Sequence, residues 1–317
     1  MYQQSPGKSS VVLPGVTNRE SQCARVQKMV MKLTVLGSGG NTPTPLPTCD
    51  CRVCTEARKR GVPYARRGNA VFIHDEQVLV DAPELVWETL NRAAITEVEY
   101  VFLSHYHADH VLGLRALQAV GMEEPPVTTF VSDPPTLVLS QQTYDRAIAG
   151  NEVLGMLAEQ WADTKILADG ETIDLGGLRV KHIAAPIEAG GPNDISGFLF
   201  EDSQNGGTAV FISPDENKRF ELGRLPELDL WIKECGYFRE TPEGDPLVTD
   251  VAEETGLANE LRFDESLEQV RAVEPDQTVL TELEELYRRS HDDYQRLADQ
   301  YDELNLTFAH DGLELSV

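Results

Sequence analysis

An apolar strand that runs straight into a cluster of imidazoles and a carboxylate constrains this chain more than any other feature. Tyr100 to Leu103 is apolar, and Ser104-His105-Tyr106-His107-Ala108-Asp109-His110 follows at once. His105 and His107 are two residues apart, so in extended backbone they point the same way. Asp109 and His110 fall where the next helix begins. Four metal-capable side chains therefore converge just past a strand end, where open α/β sheets place their sites. Imidazole with carboxylate suits zinc, iron or manganese. Three of the chain's seven His lie in these six residues, so a merely solvated turn is a poor account of them.

The surrounding pattern is α/β. Lys32–Leu36, Ala70–Ile73, Val78–Val80 and Tyr100–Leu103 read as strands, with helices expected over Glu84–Ala93 and Val111–Val120. Residues 133–163 read as helical. Short strands follow at Leu178–His182, Gly197–Phe200, Ala209–Ile212 and Leu228–Ile232, each bounded by turn residues. Residues 239–262 form an acidic insertion without clear period, placed by position as a cover over the site. Leu283, Tyr287, His291, Tyr294, Leu297, Tyr301 and Leu304 keep helical spacing, so one long helix is expected before a last strand, Leu313–Val317. Residues 1–30 differ from the rest, with four basic residues against one acidic and no period, and read as a flexible extension. Residues 31–317 are then one domain.

Charge narrows the partners. The chain of 317 residues has 53 acidic against 27 basic residues, a net −26, which argues against nucleic acid and anionic membrane as general partners. No apolar run approaches the roughly 18 residues of a membrane span, and residues 1–23 lack an apolar signal core, so a cytoplasmic location is expected. The acidity suggests a salt-rich, halophilic cytosol, with an ordinary acidic enzyme as the alternative. A homodimer is compatible with the sequence, which specifies no oligomeric state.

The five Cys are no disulfide framework, since three lie within six residues: Cys49, Cys51 and Cys54. Thiolates so spaced on a loop can share one tetrahedral metal with a fourth ligand missing; the alternative is three unlinked thiols.

The His-x-His-x-Asp-His run resembles the signature of the metallo-β-lactamase superfamily of hydrolases. Val78-Leu79-Val80-Asp81 resembles its upstream strand with a site-supporting Asp, Ile212-Ser213-Pro214-Asp215 its later metal-bridging Asp, and Leu36 to Gly40 its opening strand and turn. The three-Cys loop, Pro63 to Arg67 and Phe308 to Gly312 are similar to the branch of phosphoribosyl 1,2-cyclic phosphate phosphodiesterases. The resemblance implies a four-layer αββα sandwich and two divalent ions on His105, His107, Asp109, His110 and Asp215. It also implies a structural zinc on the three Cys, closed by a His; His291 fits that position, or is a packed helix residue.

Three expected His are absent. Glu188 stands near residue 187, Glu260 beside Asn259, and Glu282 after Thr278–Thr281. If Glu188 and Glu282 ligate, the site is richer in carboxylate and favours manganese or iron over zinc. If they do not, the chain is a metal-poor binding or regulatory protein. Under the first reading Asp109 ligates and orients the attacking water, and Glu260 is the proton donor, or else a surface carboxylate. Residues 50–67 carry six basic residues against two acidic, and from them Arg66 and Arg67 are expected to hold a substrate phosphate. The expected activity is a metal-dependent phosphodiesterase on a small cyclic or ribose-linked phosphate. RNA processing and thioester or lactone hydrolysis are the alternatives.

Overall fold

A computed structural model describes residues 31–120, 133–192, 194–202, 207–255 and 257–317; the extension expected over residues 1–30 lies outside them. Side-chain alternation along the strands sets the layering. In Ala70–Ile73, Val71 and Ile73 join one apolar cluster while Ala70 and Phe72 join another. Both faces of the strand are therefore buried, which needs a layer on each side.

The chain forms β1 (Lys32–Gly37), β2 (Ala70–Ile73), β3 (Val78–Val80), β4 (Tyr100–Phe102), β5 (Thr136–Leu139) and β6 (Asp163–Ile166). It then crosses to β7 (Thr172–Asp174), β8 (Leu178–Ala185), β9 (Ile195–Asp202), β10 (Ala209–Ser213), β11 (Leu230–Glu234), β12 (Gln277–Thr281) and β13 (Leu306–Phe308), and returns with β14 (Leu313–Ser316). Two sheets result, in the orders β14-β1-β2-β3-β4-β5-β6 and β13-β12-β11-β10-β9-β8-β7.

The sheets bury Val35, Val71, Val80, Phe102, Phe198, Phe200, Ile212 and Val279 between them. Outside the first sheet, helices Val86–Arg92 and Glu152–Trp161 cover Phe72, Leu79, Val101 and Leu137. Outside the second, helices Phe263–Val273 and His291–Ala298 cover Leu280 and Phe308. This is the αββα sandwich. At roughly 1.5–3 kcal/mol for each fully buried large apolar side chain, the inter-sheet layer is the main source of cohesion.

The parallel strands position the site. β3, β4 and β5 run parallel in one sheet, as do β10, β11 and β12 in the other. Their carboxyl ends emit Asp81, His105, Asp215, Glu234 and Glu282 toward one edge.

Three expectations are corrected. Residues 133–163 are not wholly helical: Thr136-Leu137-Val138-Leu139 is β5, a short apolar run whose period does not separate buried strand from helix. The helix after the His cluster is α only over Ala108–Val111 and continues as 3-10 over Leu112–Gln118. The long C-terminal helix is broken. Arg288 takes φ 57°, Ser290 and Asp293 form a capping box opening His291–Ala298, and Tyr301 leaves helical geometry at φ −130°.

Candidate metal centre

Asp81 organises the centre. Its carboxylate accepts the Ser104 amide at 2.8 Å and the Ser104 hydroxyl at 2.8 Å, and lies 2.9 Å from His110 Nδ1. Ser104 has spent its only hydroxyl proton on Asp81, so at 3.0 Å its oxygen accepts from His105 Nδ1. Both imidazoles are thereby fixed with Nε2 on the side of Asp215. This is the outer support that metal-binding His requires.

The ligand atoms fall into two groups, each within 4.8 Å: His105, His107 and Asp215, and Asp109, His110 and Glu282. His105 Nε2 and His107 Nδ1 are 2.9 Å apart. Asp215 Oδ2 lies 3.7 Å from both His105 Nε2 and His110 Nε2, midway between the groups. His110 Nε2 and Glu282 Oε1 are buried without a hydrogen-bond partner. Buried polar atoms left unpartnered are costly, and a divalent cation in each group would satisfy them. The donor set thus fits metal.

Electrostatics agree. Burial pushes the pKa of His105 well below its ordinary value and that of His107 below it, leaving both neutral as ligands must be. Burial also opposes a charge on His110, but Asp81, Asp109 and Asp215 override it and raise its pKa well above normal. A cation entering that group displaces a proton.

Backbone strain marks the same edge. Asp81, Glu216 and Glu282 take φ of 62°, 58° and 55°, the left-handed region. Such residues cost of order 1–3 kcal/mol and concentrate at functional sites. Gly40 makes room for Glu282, because a Cβ there would lie 2.2 Å from Glu282 Oε2.

The site opens into a cavity of about 620 Å³. Asp109, Asp215, Glu216, Glu234, Glu260, Glu282 and Glu284 line it with His107, as do Tyr237, Phe238 and Tyr287; no Lys or Arg does, among the described residues. Part of the 239–262 insertion forms a wall through Leu247, Val248, Leu257 and Glu260. Glu284 accepts from the Thr42 amide at 2.8 Å and from its hydroxyl. Glu234 accepts from the Asn217 amide. Burial and the Asp215 charge push the pKa of Glu260 up to about 7.

Several expected residues stand elsewhere. Glu188 is exposed on the connection between β8 and β9 and belongs to neither ligand group; the buried carboxylate of that connection is Asp194, 3.3 Å from Arg146. His182, on β8, is no metal ligand either, since Ala168 O at 3.0 Å and Ser196 Oγ at 2.9 Å occupy both its ring nitrogens. Arg66 is buried, donating to Ser38 Oγ at 2.7 Å and to Ala309 O. Arg67 pairs with Glu88 at 3.1 Å. Neither reaches the cavity, so they are structural. The basic island braces the Cys loop instead: Arg58 holds Leu46 O at 2.6 Å and Cys49 O, and Arg52 pairs with Asp293 at 2.8 Å.

The Cys loop has a different fourth member. Cys49, Cys51, Cys54 and Glu285 place four ligand atoms within 4.8 Å. Glu285 Oε1 lies 2.9 Å from Cys51 Sγ, 3.2 Å from Cys54 Sγ and 3.9 Å from Cys49 Sγ, while Oε2 is buried without a partner. His291 is not part of the group; its ring packs edge-on against Tyr64 at 5.4 Å. Three thiolates and a carboxylate fit a tetrahedral divalent ion. Sequence reasoning missed Glu216, Glu234, Glu284 and Glu285; the acidic run Glu282 to Glu285 after a strand was the available signal.

The sequence profile of the beta-lactamase superfamily domain matches residues 76–281, from the turn before β3 through β12. The chain belongs to that superfamily. Among solved structures, a diphosphatase of the PhnP family superposes with TM-score 0.65 at 22% identity, over 91% of this chain and 98% of that one. Zn(2+)-bound PqqB from Methylobacterium extorquens gives 0.69 at 18%, over 90% and 100%. Unliganded yeast PDE1 gives 0.56 at 13%, over 91% and 99%. At these identities the likeness is one of fold. A curated octanoyltransferase of Porphyromonas gingivalis (strain ATCC BAA-308 / W83) is 33% identical over 93 residues, 28% of this chain and only 18% of that protein's length. The superfamily implies a metal-dependent hydrolase and divalent metal ions. Among the described residues no helix is long and apolar enough to cross a membrane.

Proposed function

We propose that the chain is a two-ion hydrolase acting on a phosphodiester, with one ion on His105, His107 and Asp215 and the other on Asp109, His110, Glu282 and Asp215. The observation that carries this is Asp215 Oδ2, equidistant at 3.7 Å from two Nε2 atoms in separate ligand groups. Divalent ions bound there would supply Lewis-acid polarisation and a water acidified toward neutral pH.

The chain's own residues do the rest. Asp81 and Ser104 hold both imidazoles in one tautomer. Glu282 takes the place where the resemblance implied a third imidazole, and favours manganese or iron over zinc. Glu260 keeps its proton near neutral pH and stands on the cavity wall, where it donates to the leaving oxygen. A diester carries a single negative charge, which two ions offset without an Arg fork; a dianionic monoester would face the carboxylates of the lining. The PhnP-family diphosphatase and PDE1 share the fold, which supports the phosphoryl reading. The Cys loop with Glu285 would hold a structural zinc.

Among the described residues no Lys or Arg stands on the lining, which favours one second reading, hydrolysis of a neutral ester or thioester. Reconstitution with zinc, manganese or iron, followed by assays with bis(p-nitrophenyl) phosphate and p-nitrophenyl acetate, separates the two. Turnover of the phosphodiester that is abolished by His110→Ala supports the first. A chain that stays free of metal after reconstitution overturns both and leaves a binding protein.

A further inference from the structure

The cavity lining is of two chemical kinds. Ion ligands and carboxylates make up one; Leu247, Val248, Leu257, Leu261 and Leu286 belong to the other. Both kinds come from the same short stretches of chain. Leu286 follows Glu282 and Glu284 on the turn after β12, and Leu257 and Leu261 flank Glu260. The apolar side chains therefore belong to the site of the ion ligands and not to a separate groove.

Three of them are not spent on the core. Leu286 is 51% exposed, and Val248 and Leu257 are half-buried. None of the three packs into any of the apolar clusters of the described residues. Leu247, by contrast, packs against the cluster of Phe263 and Leu280. A single exposed leucine needs no explanation, but three accessible apolar side chains on one cavity, beside ion ligands, mark a binding surface. The wall is also preformed. Lys218 Nζ donates to Ala258 O at 3.1 Å and to Glu260 O at 2.8 Å, and Tyr237 Oη donates to Glu253 at 2.9 Å. These bonds tie the stretch that carries Leu257 to the segments after β10 and β11, so little ordering is left for the ligand to impose. The volume of about 620 Å³ lies in the range of about 300–1,000 Å³ of cavities that enclose a whole small molecule, and exceeds what one phosphodiester group fills.

We propose that the substrate of this centre carries an apolar hydrocarbon group on its ester, which lies against Val248, Leu257 and Leu286 while the ester itself is at the ion pair. The proposal rests on the hydrolytic reading above for the ester, and on the lining alone for the hydrocarbon group.

The test is a series in which a single ester group changes: ethyl, butyl and hexyl methyl phosphate, titrated calorimetrically into the metal-loaded chain. Each methylene taken out of water favours binding by up to about fourfold. The hexyl ester is expected to bind about tenfold or more tightly than the ethyl ester, with a more negative heat capacity of binding. Leu286→Ser should flatten the series, and because Leu286 stands half in water the change does not threaten the fold. Equal affinities along the series in the wild-type chain overturn the proposal, and turnover of bis(p-nitrophenyl) phosphate would then stand by itself. A slope undiminished when Leu286→Ser is combined with Val248→Ser overturns the assignment to this wall. If no member of the series binds, p-nitrophenyl acetate, butyrate and hexanoate make the same comparison at a carboxylic ester. A kcat/KM that rises along them keeps the apolar wall and removes the phosphodiester; a flat series removes the proposal.

Discussion

Asp81 lies 2.9 Å from His110 Nδ1, and that contact decides which nitrogen of the ring is turned to Asp215. Asp81→Asn would still accept one bond but carries no charge to hold the ring. Metal affinity, measured by competition with a chromogenic chelator, is expected to fall about 10–100-fold. An unchanged affinity would mean that His110 is not a ligand.

Glu216 and Glu234 make the metal-free chain sensitive to base. Burial and the Asp215 charge raise them from an ordinary 4.5 to about 9 and about 8. The folded chain therefore keeps protons that the unfolded chain has released. The resulting stability is full below about pH 4.5 and is lost as pH rises through 8 to 9, with a slope approaching about 1.4 kcal/mol per pH unit for each group. Thermal unfolding of metal-free protein should show the midpoint falling between pH 5 and 9. Added divalent ion should flatten that fall.

Glu260 should set the alkaline limb of turnover. As a proton donor it works protonated, so kcat is expected to fall as pH rises above about 7. Glu260→Gln should lower kcat about 10²-fold and abolish that limb. An unaltered profile in the variant would remove Glu260 from the chemistry.

Glu285 closes the thiol group. Replacing zinc with cobalt in the wild-type chain should give the charge-transfer band of thiolate ligation with tetrahedral visible absorption. Glu285→Ala should release the ion at lower chelator concentration, whereas His291→Ala should not. The reverse order of sensitivity would return the fourth position to His291.

Gly40 leaves the space that Glu282 fills. Gly40→Ala puts a methyl 2.2 Å from Glu282 Oε2, so the carboxylate must swing away. The chain should fold, since the clash is with a side chain, but should bind one ion fewer by elemental analysis.

What the sequence revealed follows from how local each feature is. The His105 to His110 run was legible because strand geometry alone converges it, and Asp215 because Ile212 to Asp215 resembles the superfamily's later strand-end Asp. β5 was not, because Thr136 to Leu139 has too few residues to show a period. Arg66 and Arg67 misled for a different reason: a local count of charge contains no burial, and only the fold shows Arg66 turned inward to Ser38. His291 sat in the right stretch of chain, yet the break at Arg288 and the cap at Ser290 rotate it toward Tyr64 and leave Glu285 at the thiols. Glu216 and Glu234 stayed hidden because, among 53 acidic residues, sequence does not mark which ones fold inward.

Glu282, Glu284 and Glu285 leave β12 within four residues, one to the imidazoles, one to Thr42 and one to the cysteines. The two centres are thus opposite ends of a single short lever. Oxidising or unloading the sulfur end lets go of the segment that aims Glu282, so damage at the thiols would be felt as slackness where the ester is cut.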